Sequence, residues 1–257
     1  MTKASLTPPP RATAADVAQA SLFQGIMDGT IPPGSPLRLQ DLSDQLGMSM
    51  MPIREAIKRL EALGVVEVIP HKGAWVRPVS LDDLYDTLFT RVHLESIALR
   101  EAAKRGIAAE SAEQARQAAA ERQEKLEAGD LLGSRDAHER FHFALYEASG
   151  SNWLVHSIWP VWRNSERYRG SVMRDPKRLI APEAEQHLGM LEAVESDDGE
   201  GAVRLIVEHL TGSYERVSAS LDGEADGGKP KKLPTADDLL CGSARPARRS
   251  RSRGSKA

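Results

Sequence analysis

The sequence predicts a mainly α-helical fold in two parts, a winged helix-turn-helix followed by an all-α antiparallel helical bundle. Residues 13–79 show three helical patterns and then two β-prone runs, and this is the element order of a winged helix. Residues 80–221 show six further helical patterns, separated by glycine and proline, without a convincing strand. Such a series predicts a bundle with short connections between antiparallel helices.

The three N-terminal helices have clear start and stop signals. The first is predicted to begin with a capping box at Thr13–Asp16, and the second begins at about Leu39 after an extended proline turn. The third begins after Ser49 as its cap and has Pro52 in its first turn, where the missing N–H costs little. A glycine follows each helix as its stop signal: Gly29, Gly47 and Gly64.

The segment after the third helix predicts a β-hairpin and the start of the bundle. Val65–Ile69 and Ala74–Val79 are β-prone runs, and the four residues between them end in a glycine that suits a turn. Ser80 is a helix cap followed by two acids, and this helix is predicted to continue to about Arg105. The other helices are predicted near residues 109–128, 131–149, 151–171, 177–196 and 199–220.

Both ends of the chain lack the apolar periodicity of a packed core. Residues 1–12 contain three consecutive prolines and predict a disordered lead-in. Residues 222–257 are rich in glycine, lysine, proline, serine and arginine, and predict a disordered basic tail. Two roles are open for such a tail, a solvated extension or non-specific contact with phosphate groups.

The composition is that of an ordinary globular protein. The 257 residues are 40% hydrophobic and carry a formal net charge of -3, which decides nothing about binding partners. No apolar run is long enough to span a membrane, and the first thirty residues lack the apolar stretch of a signal peptide. The single cysteine, Cys241, cannot form an internal disulfide, which agrees with a reducing compartment. We therefore expect a cytoplasmic protein without a membrane partner.

The N-terminal part carries a series of short motifs in a fixed order. They are Pro33-Gly34, Gly47-Met-Ser49, Pro52-Ile-Arg-Glu-Ala56, Arg59-Leu-Glu61, Leu63-Gly-Val65 and Lys72-Gly73. With this series, residues 14–79 resemble the DNA-binding domain of GntR-family regulators. The resemblance implies that the third helix enters the major groove of DNA and that the wing approaches the adjacent minor groove.

The resemblance also implies a set of DNA contacts. Arg54 lies near the start of the third helix, where its guanidinium can bond a guanine edge or a phosphate with two donors. The alternative for Arg54 is an exposed surface charge, and Ser49 is expected to contact phosphate in addition to capping its helix. The other expected contacts, with the DNA backbone and from the wing, are Gln40, Lys58 or Arg59, Lys72 and Gly73. For Lys58 and Arg59, a solvated face is the alternative.

The third helix departs from the family pattern at Met50 and Met51. An arginine and a threonine are usual at these two positions. Met50 can neither hydrogen-bond to a base nor pair with a phosphate, so the operator preference of relatives does not transfer to this chain.

The helical part resembles the FCD ligand-sensing domain of the FadR subfamily, in its six-helix VanR-type form. In such domains one helix carries an aspartate and a histidine four residues apart, and two later helices each provide a histidine. Here His142 takes the histidine position of the first helix, His187 and His209 take the later ones, and the aspartate position falls on His138. His138 and His142 share a helix face because they are four residues apart. The resemblance thus implies a divalent metal ion bound by these four histidines.

The replacement of the usual aspartate by His138 changes the expected chemistry of the site. An all-imidazole set leaves the full +2 charge on the ion and makes the open positions attractive to an anion. It favours zinc, nickel or copper over manganese, and of these we expect zinc or nickel. Glu139 is an alternative oxygen ligand, whereas Asp136 is expected to point elsewhere. Of the remaining histidines, His71 belongs to the wing, and His93 and His156 are expected to be structural.

Arg91 matches an arginine that the family presents from its first sensing helix toward the ligand. A carboxylate held between a metal ion and a guanidinium is neutralised and bonded directionally. The alternative for Arg91 is a salt bridge with Glu95 on the helix surface. A later helix either lines the ligand pocket or packs in the core through Trp159, Trp162, Arg163 and Tyr168.

Together these features predict a sequence-specific DNA-binding transcriptional regulator, a repressor that binds an inverted repeat as a homodimer. Its operator affinity is expected to change when a small organic acid binds at the metal. The alternative is a DNA-binding regulator whose metal is purely structural, in a helical bundle for protein interaction. We do not expect an enzyme, because no general base is identifiable beside the histidines and catalysis would leave the winged helix unexplained.

Overall fold

The structure is a computed structural model that describes residues 12–172, 180–221 and 230–241. Side chains are described for residues 12–168, 184–221 and 230–240. The predicted lead-in lies outside the described residues except for Ala12, and so do residues 222–229 and 242–257 of the predicted tail. The described chain forms three helices with a small sheet and then a helical bundle, so the predicted fold class is confirmed.

Three helices build the N-terminal part: α1 (Ala14–Met27), α2 (Leu39–Leu46) and α3 (Met50–Ala62). The predicted capping box of α1 is present, with the Asp16 backbone N–H donating to Thr13 Oγ1 over 3.2 Å and the Thr13 backbone N–H donating to Asp16 Oδ2 over 2.7 Å. Gly47 ends α2 with a φ of 62°, a left-handed conformation that glycine adopts without strain. These helices enclose an apolar core that includes Leu22, Ile26, Leu42, Ile53 and Leu60.

The sheet has three antiparallel strands in the order β1-β3-β2: β1 (Pro36–Leu37), β2 (Val66–Ile69) and β3 (Gly73–Val76). β2 and β3 form the predicted hairpin, with Val66 opposite Val76 and Ile69 opposite Gly73. β1 was not predicted, because a two-residue strand that begins with proline is defined only by its pairing with β3. This pairing ties the turn before α2 to the wing.

In the described residues the bundle consists of six long helices, as predicted: α4 (Leu81–Arg105), α5 (Ala109–Glu127), α6 (Leu131–Glu147), α7 (Asn152–Val172), α8 (Ile180–Glu195) and α9 (Gly199–Leu221). Ser80 caps α4 by accepting a hydrogen bond from the Asp83 backbone N–H over 3.1 Å. The predicted start of α8 at residue 177 falls outside the described residues. In the three described ranges, no helix combines the length and the apolar character that a membrane crossing requires.

The structure differs from the predicted tail at residues 230–241. This segment packs against the bundle and ends in a short helix, α10 (Ala236–Cys241). Leu233 is 5% exposed and belongs to the bundle core, and Lys231 lies 2.8 Å from the Asp82 carboxylate at the start of α4. The prediction of disorder was wrong here because the few apolar residues that anchor the segment, Leu233, Leu239 and Leu240, lie within an otherwise polar sequence.

The bundle contacts the N-terminal part through α6 and α7. Arg167 on α7 is buried, and its Nη1 donates to the carbonyl oxygen of Pro78 over 2.9 Å in the linker between the two parts. Its Nη2 donates to Asp83 over 2.9 Å at the start of α4. On α6, Arg135 Nη1 donates over 2.8 Å to the carbonyl oxygen of Met27, at the end of α1. The linker and the end of α1 are thus both held by arginines of the bundle.

Candidate nucleic-acid interface and metal centre

A groove of about 620 Å³ lies between α3 and the β2–β3 hairpin. Its floor includes the apolar side chains of Ile57, Val68 and Trp75. One acid, Glu61, and four cations line it: Arg38, Arg54, Lys58 and Lys72. An excess of cations along a helix and a wing is the electrostatic pattern expected for contact with DNA phosphates.

The predicted DNA contacts are distributed over this groove and the exposed starts of α2 and α3. Arg54, Lys58, Lys72 and Gly73 all line the groove. Gln40 is exposed in the first turn of α2, where its Nε2 donates to Asp44 over 3.0 Å. Ser49 is exposed at the start of α3, but its side chain makes no capping hydrogen bond, so the predicted cap is wrong in this respect.

Arg59 lies on a different side of α3 from Lys58. Its Nη1 is 2.6 Å from Asp16 on α1, and its Nη2 also bonds to Glu55. Hydrogen bonds from the Thr13 backbone and from Arg59 lower the pKa of Asp16 to about 2. Because these bonds hold Arg59 toward α1, Lys58 is the stronger candidate of the two for contact with DNA.

Arg38 also lines the groove, although it is not among the DNA contacts predicted from the sequence. It directly precedes α2, its side chain is 74% exposed, and its ion pair with Asp41 is long at 3.9 Å. The sequence signal that could have identified Arg38 is its positive charge at a position between the proline turn and Gln40, which was itself predicted to contact DNA. Arg38 thus adds a fourth positive charge to the predicted interface.

The four predicted histidines converge inside the bundle. His138 and His142 lie on α6, His187 on α8 and His209 on α9, and each is at most 2% exposed. One ring nitrogen from each histidine lies within 4.8 Å of those of the other three. His142 Nε2 lies 3.1 Å from the Nε2 atoms of both His138 and His187. The predicted grouping of these side chains is therefore present in the structure.

Neighbouring polar groups indicate which nitrogen of His142 faces the cluster. Tyr146, one turn further along α6, donates from its hydroxyl to Glu95 Oε2 over 2.6 Å. The phenol oxygen then accepts from the protonated Nδ1 of His142 over 3.0 Å, which leaves Nε2 with its lone pair. Burial raises the pKa of Tyr146 well above its usual value of 10, so the phenol remains a donor.

This geometry fits a bound metal ion. The His142 Nε2 lone pair can accept only one hydrogen bond, yet two imidazole nitrogens approach it equally closely. One ion shared by the rings would satisfy all of them. Nitrogen atoms in neighbouring coordination positions of one zinc ion, at 2.0–2.1 Å from it, are about 3 Å apart, which is close to the 3.1 Å between His142 Nε2 and the Nε2 atoms of His138 and His187. His209 Nδ1 lies 3.3 Å from Gln186 Oε1, an arrangement that would likewise direct Nε2 to the ion.

Two acids of α6 that are close to the histidines in sequence bond elsewhere. Glu139, the alternative oxygen ligand, accepts from Arg163 Nη2 over 3.0 Å. Burial raises the pKa of Glu139 to about 7, in spite of the nearby Arg163 charge. Asp136 is exposed and pairs with Arg140. The group of candidate metal ligands in the described residues is therefore made of histidines alone.

Arg91 forms the ion pair with Glu95 that was predicted as the alternative to a ligand contact. The pair is buried, whereas the prediction placed it on the helix surface. Arg91 Nε donates to Glu95 Oε1 over 2.5 Å, Nη2 donates to Glu95 Oε2 over 3.2 Å, and Nη1 donates to Ser165 over 2.7 Å. The guanidinium lies 4.2 Å above the ring of Trp162, which itself packs against His138 and His142. Arg91 is thus connected to the histidines through Glu95 and Tyr146.

The three aromatic residues of α7 that were predicted to line the ligand pocket or to pack in the core lie in different surroundings. Trp162 is fully buried and borders the histidine cluster, whereas Trp159 stacks on Phe143 at 4.0 Å between ring centroids. Tyr168 donates to Asp83 over 2.5 Å near the linker. Trp162 is therefore the one of these three whose ring lines the cluster.

The Tyr146 contact makes a testable prediction about metal affinity. We expect Tyr146→Phe to weaken zinc or nickel binding about 10- to 100-fold, because His142 loses the partner that fixes its tautomer. Competition with a coloured chelator measures the affinity. Tyr214→Phe is the control, since it removes a buried hydroxyl of the bundle outside the cluster. Equal affinities for Tyr146→Phe and wild type would contradict the assigned tautomer.

The groove and the helical sensor part define a class of protein, a DNA-binding transcriptional regulator. Comparison with known protein families agrees: residues 14–76 match the bacterial regulatory proteins of the gntR family, and residues 85–212 match the FCD domain. The chain belongs to the GntR family of bacterial regulatory proteins. It is accordingly a DNA-binding transcriptional regulator and not an enzyme.

Relatives and a solved structure support this assignment. The "Probable D-xylose utilization operon transcriptional repressor" of Paenarthrobacter nicotinovorans is 30% identical over 216 residues, covering 84% of this chain and 93% of the relative. The HTH-type transcriptional repressor GlaR of Escherichia coli is 28% identical over 197 residues, covering 74% and 89%. The structure of E. coli McbR/YncC matches with a TM-score of 0.71 at 22% identity, covering 81% of this chain and 99% of that one, and shows the shared fold.

Proposed function

We propose that this chain is a repressor whose operator affinity changes when a small organic carboxylate binds at a metal ion held by His138, His142, His187 and His209. The observation that supports it is the convergence of four buried imidazoles within 4.8 Å of one another. Two of the relatives described above carry the name of repressor. An operator-binding repressor acts in the cytoplasm, which is the location we propose.

The neutral ligand set favours an anionic effector. Four imidazoles leave the charge of a divalent ion uncompensated, and imidazole ligands suit zinc or nickel. A carboxylate oxygen that enters the coordination sphere would lower this charge. The carboxylate is therefore the effector group that we propose, with zinc or nickel as the ion.

Arg91 supplies a second contact for the carboxylate in this proposal. Its described hydrogen bonds use three of its five N–H groups, one on each nitrogen. Tyr146 also interacts with the guanidinium, and an N–H group beyond these contacts could bond an acid that also coordinates the metal. The effector and Glu95 would then both bond to the Arg91 guanidinium. A shift of Glu95 would in turn alter its hydrogen bond with Tyr146 and the contact between Tyr146 and His142.

The same helices that surround the metal also contact the DNA-binding part. On α6, Arg135 lies one turn before His138 and bonds the carbonyl oxygen of Met27. On α7, Arg163 follows Trp162 directly and its guanidinium lies 4.8 Å above the ring of Phe23 on α1. A small displacement of either helix at the metal would therefore move a contact to α1.

A second route runs through α4. This helix carries Arg91 and follows the linker at Pro78 to Ser80, so a displacement at the ligand reaches the wing along the chain. In a homodimer on an inverted repeat, either route would change the spacing of two α3 helices. The effector shifts this equilibrium only by its differential affinity for the two arrangements.

Thermal melting tests the proposal. The zinc- or nickel-loaded protein is melted with a panel of small carboxylates, before and after chelation, because a ligand of the native state raises its melting temperature. We expect at least one acid to stabilise the loaded protein, to lose this effect after chelation, and to weaken operator binding. If no acid changes melting or operator affinity while the metal stays bound, the metal is structural, which is the alternative function.

A further inference from the structure

The first turn of α3 presents two methionines to solvent. Met50 is 45% exposed and Met51 is 73% exposed. Met50 lies four residues before Arg54 and Met51 lies three before it, so both are neighbours of Arg54 on the helix surface. Arg54 lines the electropositive groove, and the two methionines therefore extend the same surface toward the start of the helix.

Neither methionine contributes to the described core of the winged helix. The buried stripe of α3 consists of Ile53, Ala56, Ile57 and Leu60. Met48, only two residues before Met50, does pack against that core, whereas Met50 and Met51 do not. These two adjacent apolar side chains are therefore available for contact with the partner that α3 binds.

The chemistry of the methionine side chain determines which group in the major groove it can contact. A thioether has no hydrogen to donate and its sulfur is a weak acceptor, so it does not read the polar edges of bases. The apolar feature of the major groove is the 5-methyl group that thymine carries at its edge, and that 5-methylcytosine carries at the same position. A flexible, polarizable side chain is suited to pack against such a group.

We propose that Met50 and Met51 recognise pyrimidine 5-methyl groups in the operator, next to the base pair that Arg54 contacts. The proposal rests on DNA recognition by α3. Loss of one buried methyl contact is expected to lower affinity about fourfold. The two methionines then favour bases that carry a 5-methyl group, whereas hydrogen-bonding residues at the same helix positions would favour bases by their polar edges.

Replacement of thymine by uracil in the operator tests the proposal, because it removes the 5-methyl group and leaves the pairing edge unchanged. The full-length protein first selects a duplex from random-sequence DNA, and each thymine of the selected site is then replaced in turn. We expect wild type to lose about fourfold in affinity at one or two positions. We expect a variant with Met50→Ala and Met51→Ala to lose nothing at these positions.

Cytosine and 5-methylcytosine at the same positions separate the two sources of the methyl group. We expect cytosine to bind more weakly than 5-methylcytosine in wild type, and the two to bind equally in the Met50→Ala, Met51→Ala variant. A preference for thymine without a preference for 5-methylcytosine over cytosine would contradict recognition of the methyl group itself. Met48→Ala is the matched control, because it removes a methionine from the core side and should keep the uracil sensitivity.

The outcomes distinguish this proposal from DNA recognition as such. If wild type binds its selected duplex through Arg54 but tolerates every uracil, the methyl contact is wrong while DNA recognition stands. An equal loss at uracil in wild type and in the Met50→Ala, Met51→Ala variant would also contradict it. If wild type enriches no sequence from the random pool, DNA recognition by α3 is itself contradicted.

Discussion

A variant with His187→Ala and His209→Ala is expected to bind no zinc or nickel under conditions in which wild type retains about one ion per chain. Only His138 and His142 would remain, both on α6, so the ion would lose its ligands from α8 and α9. Metal content after gel filtration gives the first measurement. The second is melting with and without metal, since wild type gains about 4 kcal/mol of stability at a metal concentration a thousandfold above Kd. The variant should lose this gain.

Two histidines outside the cluster provide the matched control. His93 Nδ1 lies 2.8 Å from the carbonyl oxygen of Phe89, and His156 Nδ1 lies 2.7 Å from that of Asn152, in each case within one helix. The pair His93→Ala and His156→Ala also removes two imidazoles, but it should leave metal content unchanged. Undiminished metal in the first variant, or equal loss in both, would refute the assignment of the ligands.

The second large effect is expected for Arg54→Ala, which should remove specific operator binding without unfolding the protein. Arg54 is exposed and lines the groove, so the free protein loses no core contact. A bidentate contact between arginine and guanine is worth about 1–3 kcal/mol of discrimination for each base pair. Fluorescence anisotropy with the selected duplex and a scrambled duplex measures the change.

The control for Arg54 is an arginine of equal charge away from the groove. Arg204 on α9 is more than half exposed and lies 3.5 Å from Glu200 of the same helix. Arg204→Ala should preserve both affinity and sequence preference. If Arg54→Ala still prefers the selected duplex to the scrambled one by the same factor as wild type, Arg54 does not read a base.

The histidine cluster could be predicted because the resemblance to the FCD domain assigned its positions to three helices, and the four-residue spacing of His138 and His142 agreed with it. His138 and His142 share a face by their spacing, and the later two helices were delimited by their apolar periodicity and glycines. What the pattern could not show is the chain of contacts from His142 through Tyr146 and Glu95 to Arg91. These bonds join α4 to α6 and depend on rotamers and on the offset of two helices. The spacing of Tyr146, four residues after His142, was the available sign.

Elements stabilised by distant contacts were the ones missed. β1 is two residues long and exists as a strand through its bonds to β3, almost forty residues later in the chain. The segment at residues 230–241 is mostly polar and is held by a few leucines that fit the bundle. Local composition carries no information on such a fit. The side-chain cap predicted for Ser49 failed for a related reason, because the residue type permits the bond without requiring it.

The contacts of Arg167 limit how the helical part of this chain can be replaced by that of another regulator. Arg167 donates to the Pro78 carbonyl and Arg135 donates to the Met27 carbonyl, so the helical part supplies hydrogen bonds to both the linker and the end of α1. A recombination that cuts the gene between Pro78 and Ser80 would separate the linker carbonyl from the arginine that binds it. A functional chimera must therefore bring a sensor whose α6 and α7 fit both α1 and the linker. In this chain these two arginines therefore make the DNA-binding part depend on the helical part that it is joined to.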